Sequence, residues 1–198
     1  MPKIVDHELY RRELLEKCFD LFAEKGYGSI TMRQIADGLG VSTGTLYHYF
    51  PSKKALFEQL VEEINRQDLL KVAAELEGTQ TLQERIEACG RFLKKNEDYF
   101  IKQTFIMIDF CQNNEPQEVK GNTVFKLTIE RSLQAICEYL GFQDRALAAF
   151  IMTHIDGLLL HKIWVNEEVS ISEQFALLGE MITAYLEKIY LQKNEVKR

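Results

Sequence analysis

The chain has 198 residues, 46% of them hydrophobic, with 24 Lys+Arg against 30 Asp+Glu for a formal net charge of -6. This is the composition of a globular chain and excludes a disordered or collagen-like one. Purely apolar runs such as 105–108 and 158–160 fall far short of the roughly 18 residues that span a bilayer, so no membrane segment is expected. The opening residues meet Asp6 and Glu8 without an apolar stretch. They do not read as a secretory signal, and a cytoplasmic location is expected. Cys18, Cys89, Cys111 and Cys137 lie far apart in apolar periodic stretches with no Cys-x-x-Cys pair. They read as reduced core residues rather than zinc ligands or a redox couple.

Pro2, Pro51 and Pro116 are the only prolines, so long tracts contain nothing that must break a helix. Residues 8–25 place Leu14, Cys18, Leu21 and Phe22 at i, i+4, i+7 and i+8, an amphipathic helix that Gly26 stops. Thr31 and Gln34 form a capping box that starts a short second helix, and Gly40 suits the tight turn that follows. Ser42 caps a third helix, ended by Phe50 before Pro51. Ser52 caps a fourth, with Leu56, Leu60, Val61 and Ile64 at helical spacing, reaching Gly78. Thr81 and Glu84 make a second capping box, and Asn96 with Glu97 and Asp98 marks the next start. Glu115 and Pro116 open one long helix closed by Gly141, Asp144 begins another, and Ser170 caps the last before a charged tail at 193–198. The expectation is an all-α fold of about nine helices. It divides into an N-terminal module at 1–51, a connecting helix at 52–78 and a larger bundle at 79–198.

Charge is unevenly distributed. Residues 1–60 carry eight basic and eight acidic side chains, leaving 16 basic and 22 acidic beyond, and no Asp or Glu occurs from 38 to 57. Such a gap marks a surface that meets an anion. It coincides with residues 31–50, where Ala36, Gly40 and Leu46 supply the small residue, turn glycine and buried aliphatic of a helix-turn-helix, with Ile35 and Val41 along the seam. The second helix then offers Thr43, Gly44, Thr45, Tyr47 and His48 to phosphates and base edges. Lys53 follows at a helix N-terminus, where a phosphate is favoured. The competing reading is a plain helical hairpin with a hydroxyl-rich surface.

Through Phe22, Gly26, Thr31, Ile35, Ala36, Gly40 to Ser42, Gly44 to Tyr47, Tyr49, Phe50, Ser52, Lys53 and Leu56, residues 8 to about 64 resemble the TetR/AcrR family of bacterial transcription regulators. The resemblance implies that the helix after the turn lies in the major groove of double-stranded operator DNA. It carries over Thr43, Gly44, Thr45, Tyr47 and His48 as contacts, and Arg33 and Lys53 as groups touching backbone or nearby bases. Gly38 departs from the family pattern, which has a better helix former there. By the same resemblance the protein is a repressor released by a small-molecule effector, and its last two helices, about 144–165 and 172–191, form a twofold homodimer.

The residues agree with that dimer. Leu147, Phe150, Ile151, Ile155, Leu158 and Leu159 make one broad face, and Phe175, Leu178, Met181, Ile182, Tyr185 and Ile189 another. An effector pocket is expected among helices 81–140, lined by Phe92, Phe105, Phe110 and Phe125, with Asp109 as polar anchor because an ion between Ile108 and Phe110 is costly unless paired or wetted. His154 and His161 stand about 10.5 Å apart along a helix, too far for one metal ion without other ligands. No metal or cofactor is expected. Residues 40–44 also fit Gly-x-Ser-x-Gly, but a nucleophile elbow needs a preceding strand where the sequence reads as helix. The alternatives to a regulator are therefore a helical adaptor without DNA affinity and, more distantly, a serine hydrolase.

Overall fold

The computed structural model describes residues 6–165 and 169–195; residues 1–5 of the opening and 196–198 of the charged tail lie outside them. The described residues are all-α, in ten helices: α1 (His7–Lys25), α2 (Met32–Leu39), α3 (Thr43–Tyr49), α4 (Lys53–Glu75), α5 (Leu82–Lys95), α6 (Glu97–Gln112), α7 (Pro116–Gly121), α8 (Thr123–Leu140), α9 (Arg145–Val165) and α10 (Ile171–Glu195). Local chemistry accounts for the starts. The Asp6 carboxylate accepts the N–H groups of Glu8 and Leu9, and both capping boxes, Thr31 with Gln34 and Thr81 with Glu84, close reciprocally.

The single long helix expected from 115 to 141 is instead two. Asn122 stands between α7 and α8 in an extended conformation, its side-chain oxygen accepting the Phe125 N–H at 3.1 Å while its amide donates to Glu58 at 2.6 Å. An asparagine that satisfies the first turn of α8 this way competes with helix continuation.

The chain folds into two compact units. One comprises Met1–Asp68 and Lys102–Ser132, the other Leu69–Ile101 and Leu133–Arg198. The division drawn along the sequence thus differs from the grouping in space, which adds most of α6, α7 and the first half of α8 to the N-terminal helices. The first unit is built on an aromatic column. Phe57 and Phe110 stack at 4.4 Å, Phe22 and Tyr27 meet Phe57 edge-on at 5.5 and 5.0 Å, and Phe125 meets Phe110 at 5.2 Å. Gly38, the departure from the family pattern, lets α2 approach α1: a Leu21 methyl lies 2.8 Å from where a β-carbon would be.

In the second unit α5 lies along α10, brought close by two glycines. A β-carbon on Gly90 would come within 2.6 Å of Phe175, and one on Gly179 would collide with the Gln83 side chain. Ile86, Leu93, Leu140, Leu147, Ile151, Leu158, Phe175, Leu178 and Ile182 form the core there. Helix α9 is long and apolar enough to cross a membrane by length and composition, but Leu147, Ala148, Ile151, Leu158 and Leu159 are buried inside this unit. Of the cysteines, Cys18 is buried and Cys89 and Cys137 half-buried, whereas Cys111 is exposed, a correction to the core reading. Burial pushes the Cys18 thiol up to about 12.

Candidate nucleic-acid interface

The surface is set by how α3 is held. Gly40 takes the left-handed conformation at φ 69°, and the Val41 N–H returns to the Ala36 carbonyl at 3.0 Å, which folds the chain back on α2. The Ser42 hydroxyl then accepts the Thr45 N–H at 2.9 Å and so starts α3. Ala36, Ile35 and Leu46 are fully buried at the crossing of the two helices, as the spacing required. Because a helix, not a strand, precedes Ser42 and its hydroxyl caps α3, the nucleophile-elbow reading fails.

With Leu46 inward, the opposite side of α3 faces out. Gly44, Tyr47 and His48 are exposed and Thr43 and Thr45 half-buried, while Arg33 on α2 is exposed. These six expected contacts are therefore at the surface. Thr45 Oγ1 lies 2.8 Å from Ser42 Oγ, which orients its hydroxyl. A β-carbon on Gly44 would meet only Ser42 Oγ, at 3.7 Å, so nothing in the chain itself requires glycine there.

The C-terminal end of α3 is braced by residues that no sequence pattern singles out. His7 Nδ1 and Tyr49 Oη lie 2.9 Å apart, Tyr10 packs edge-on against Tyr49, and the His7 and His48 rings are 6.3 Å apart. No spacing rule could have found His7, since its partner is 42 residues away.

Lys53 does not point away from the protein. Its ammonium donates to the carbonyls of Tyr27 at 2.6 Å and Ile30 at 2.9 Å and lies 4.5 Å above the Tyr27 ring. Burial draws it below the ordinary lysine value, against the opposing charge of Asp109. Lys54 pairs with Glu118 at 3.0 Å. Both lysines of the acid-free window are thus engaged internally.

The residues expected to line one pocket are divided between the units, Phe105, Asp109, Phe110 and Phe125 in the first and Phe92 in the second. Phe110 is buried in the aromatic column beside Phe125, and Phe105 is exposed. Phe92 belongs to the second unit, edge-on to Phe100 at 5.8 Å. The Asp109 carboxylate accepts the Gly28 N–H at 2.9 Å and the Asn113 amide at 3.0 Å, so it is paired within the first unit.

Residues 14–60 match the family described as bacterial regulatory proteins, tetR family. The chain is 47% identical over 51 residues to the HTH-type transcriptional repressor KstR2 of Mycobacterium tuberculosis, a match that spans only 26% of this chain and 26% of that relative. It is 25% identical over 193 residues to the HTH-type transcriptional regulator BetI of Rhizobium meliloti, covering 94% of each. In fold it is similar to the transcriptional regulator FadR from Bacillus subtilis in complex with stearoyl-CoA, at TM-score 0.62 and 18% identity over 87% of this chain and 96% of that one. Fold and site together define an all-α helix-turn-helix protein. Over residues 14–60 the chain is similar to the tetR family of bacterial regulatory proteins.

Proposed function

We propose that this protein is a dimeric, ligand-controlled transcriptional regulator of the cytoplasm, without catalytic residues or cofactor. It acts as a repressor that binds a palindromic operator through α3. The observation that carries the reading is Gly44. Glycine inside a helix costs about 1 kcal/mol against alanine, and here the space beside it is open on the protein's own side. The missing β-carbon therefore serves a close approach from outside, as a DNA backbone or base edge makes to a recognition helix. Arg33, Thr43, Thr45, Tyr47 and His48 surround it as contacts, and the regulator names of KstR2 and BetI agree.

Exposed Phe150, Leu177, Met181 and Tyr185 on α9 and α10 are the face offered to a second copy. For the effector, the bound stearoyl-CoA of FadR supports a molecule with a long apolar chain. Phe105, whose ring is exposed, is a contact available to it. A mobility-shift titration on the DNA upstream of the protein's own gene, repeated across salt concentrations, tests the reading. Saturable binding that survives competitor DNA is expected; no binding at low salt would leave the adaptor.

A further inference from the structure

Helix α6 reaches into the turn that joins α1 to α2. Asp109 Oδ2 accepts the Gly28 N–H at 2.9 Å, across 81 residues of chain, while Asn113 donates to Asp109 Oδ1 at 3.0 Å and to the Asp109 carbonyl at 2.8 Å. The fit is close. A β-carbon on Gly26, whose φ is 77°, would stand 3.0 Å from Asp109 Oδ2, and one on Gly28 would stand 2.5 to 2.7 Å from the Asn113 amide group. From α4 the Lys53 ammonium holds the carbonyls of Tyr27 and Ile30 in the same turn. The turn is thus fixed by a carboxylate on its N–H side and an ammonium on its carbonyl side, both charge-assisted bonds.

This turn delivers the chain to Thr31, the cap of α2, and so sets the angle at which α2 and α3 leave α1. None of its five residues is among the groups placed against DNA. We propose that Asp109, oriented by Asn113, is a positioning residue for operator binding: it holds the α1–α2 turn in the arrangement that presents α3. The proposal rests on the DNA-binding reading above. Without that acceptor for the Gly28 N–H, the turn gains alternatives and the fraction of molecules with α3 correctly presented falls. Apparent affinity falls with that fraction.

Four variants test this in the full chain: Asp109→Ala, Asp109→Asn, Gly28→Ala and the double variant Gly28→Ala/Asn113→Ala. Each is measured for affinity to the upstream DNA fragment across salt concentrations and for amide exchange at Gly28. Asp109→Ala is expected to weaken binding on the order of ten-fold, the size of the fall in competent fraction, with unchanged salt slope and base preference and faster Gly28 exchange. Asp109→Asn keeps an acceptor and recovers most of the affinity. Gly28→Ala pushes on Asn113 and also weakens binding, and the added Asn113→Ala restores part of the loss by removing the collision. Wild-type binding with Asp109→Ala of equal affinity overturns the proposal, as does a salt slope reduced by about one, the mark of a lost phosphate contact. Failure of the wild type to bind any DNA overturns the functional reading itself, and the proposal with it.

Discussion

Gly44 sets stability against function at a single position. Gly44→Ala adds a methyl where the chain has room, so the free protein is expected to gain about 0.5–1 kcal/mol, visible as a higher melting temperature. Operator binding is expected to fall steeply in the same variant, because the methyl stands where DNA must approach. A variant that binds as tightly as the wild type would remove the strongest argument for this face. Lys53 behaves in the opposite way. Lys53→Met keeps the stem but abandons the Tyr27 and Ile30 carbonyls, so a stability loss of about 1–3 kcal/mol is expected, with the salt dependence of DNA binding unchanged. A slope reduced by about one would place Lys53 on the DNA backbone after all. The contrast shows what was legible. Ala36, Gly40, Ser42 and Leu46 could be placed from sequence because their partners lie within ten residues. The partners of Lys53 and Asp109 lie 23 and 81 residues away, and a charged residue at a helix start or between apolar neighbours is ambiguous until its partner is known.

The helices themselves were largely legible, since capping and periodicity are local. The break at Asn122 was missed although its signal was present: Gly121, Asn122 and Thr123 in succession are poor helix formers and good caps. The unbroken apolar spacing on either side outweighed them. What the sequence lacked was Glu58, the residue on α4 that receives the Asn122 amide at 2.6 Å and so holds the break in place. Asn122→Ala removes both the cap on Phe125 and the bond to Glu58. It is expected to cost about 1–3 kcal/mol, measured by urea unfolding. Asn122→Asp, which keeps the capping acceptor but sets a second carboxylate against Glu58, is expected to be no better than alanine at neutral pH. An alanine variant as stable as the wild type would mean that α7 and α8 are separated by something other than this side chain.

For the whole molecule the question is what covers α9 and α10. The sequence showed two broad apolar faces, and both resolve into an inner and an outer part. Leu147, Ile151, Leu158 and Leu159 on α9, with Phe175, Leu178 and Ile182 on α10, are consumed by the second unit's own core. Phe150 and Trp164 on α9, 80% exposed in the case of Trp164, and Leu177, Met181 and Tyr185 on α10 are left outside it. A helix that is apolar on both sides is buried on both sides, and a twofold axis lets one copy cover the other with the same patch. In the proposed dimer, two recognition helices related by that axis are expected to read an inverted repeat, with half-sites about 34 Å apart or a multiple of it. The double variant Leu177→Glu/Met181→Glu changes only exposed side chains, so helicity is expected to persist while two like charges from each copy oppose association. Sedimentation is then expected to show a monomer, and affinity for the full operator to fall to that for a single half-site, since the second contact is no longer made by the same particle. A variant that stays dimeric would move the interface off α10. A monomer that still binds the full operator as tightly as the wild type would show that the two half-sites are not read by one dimer.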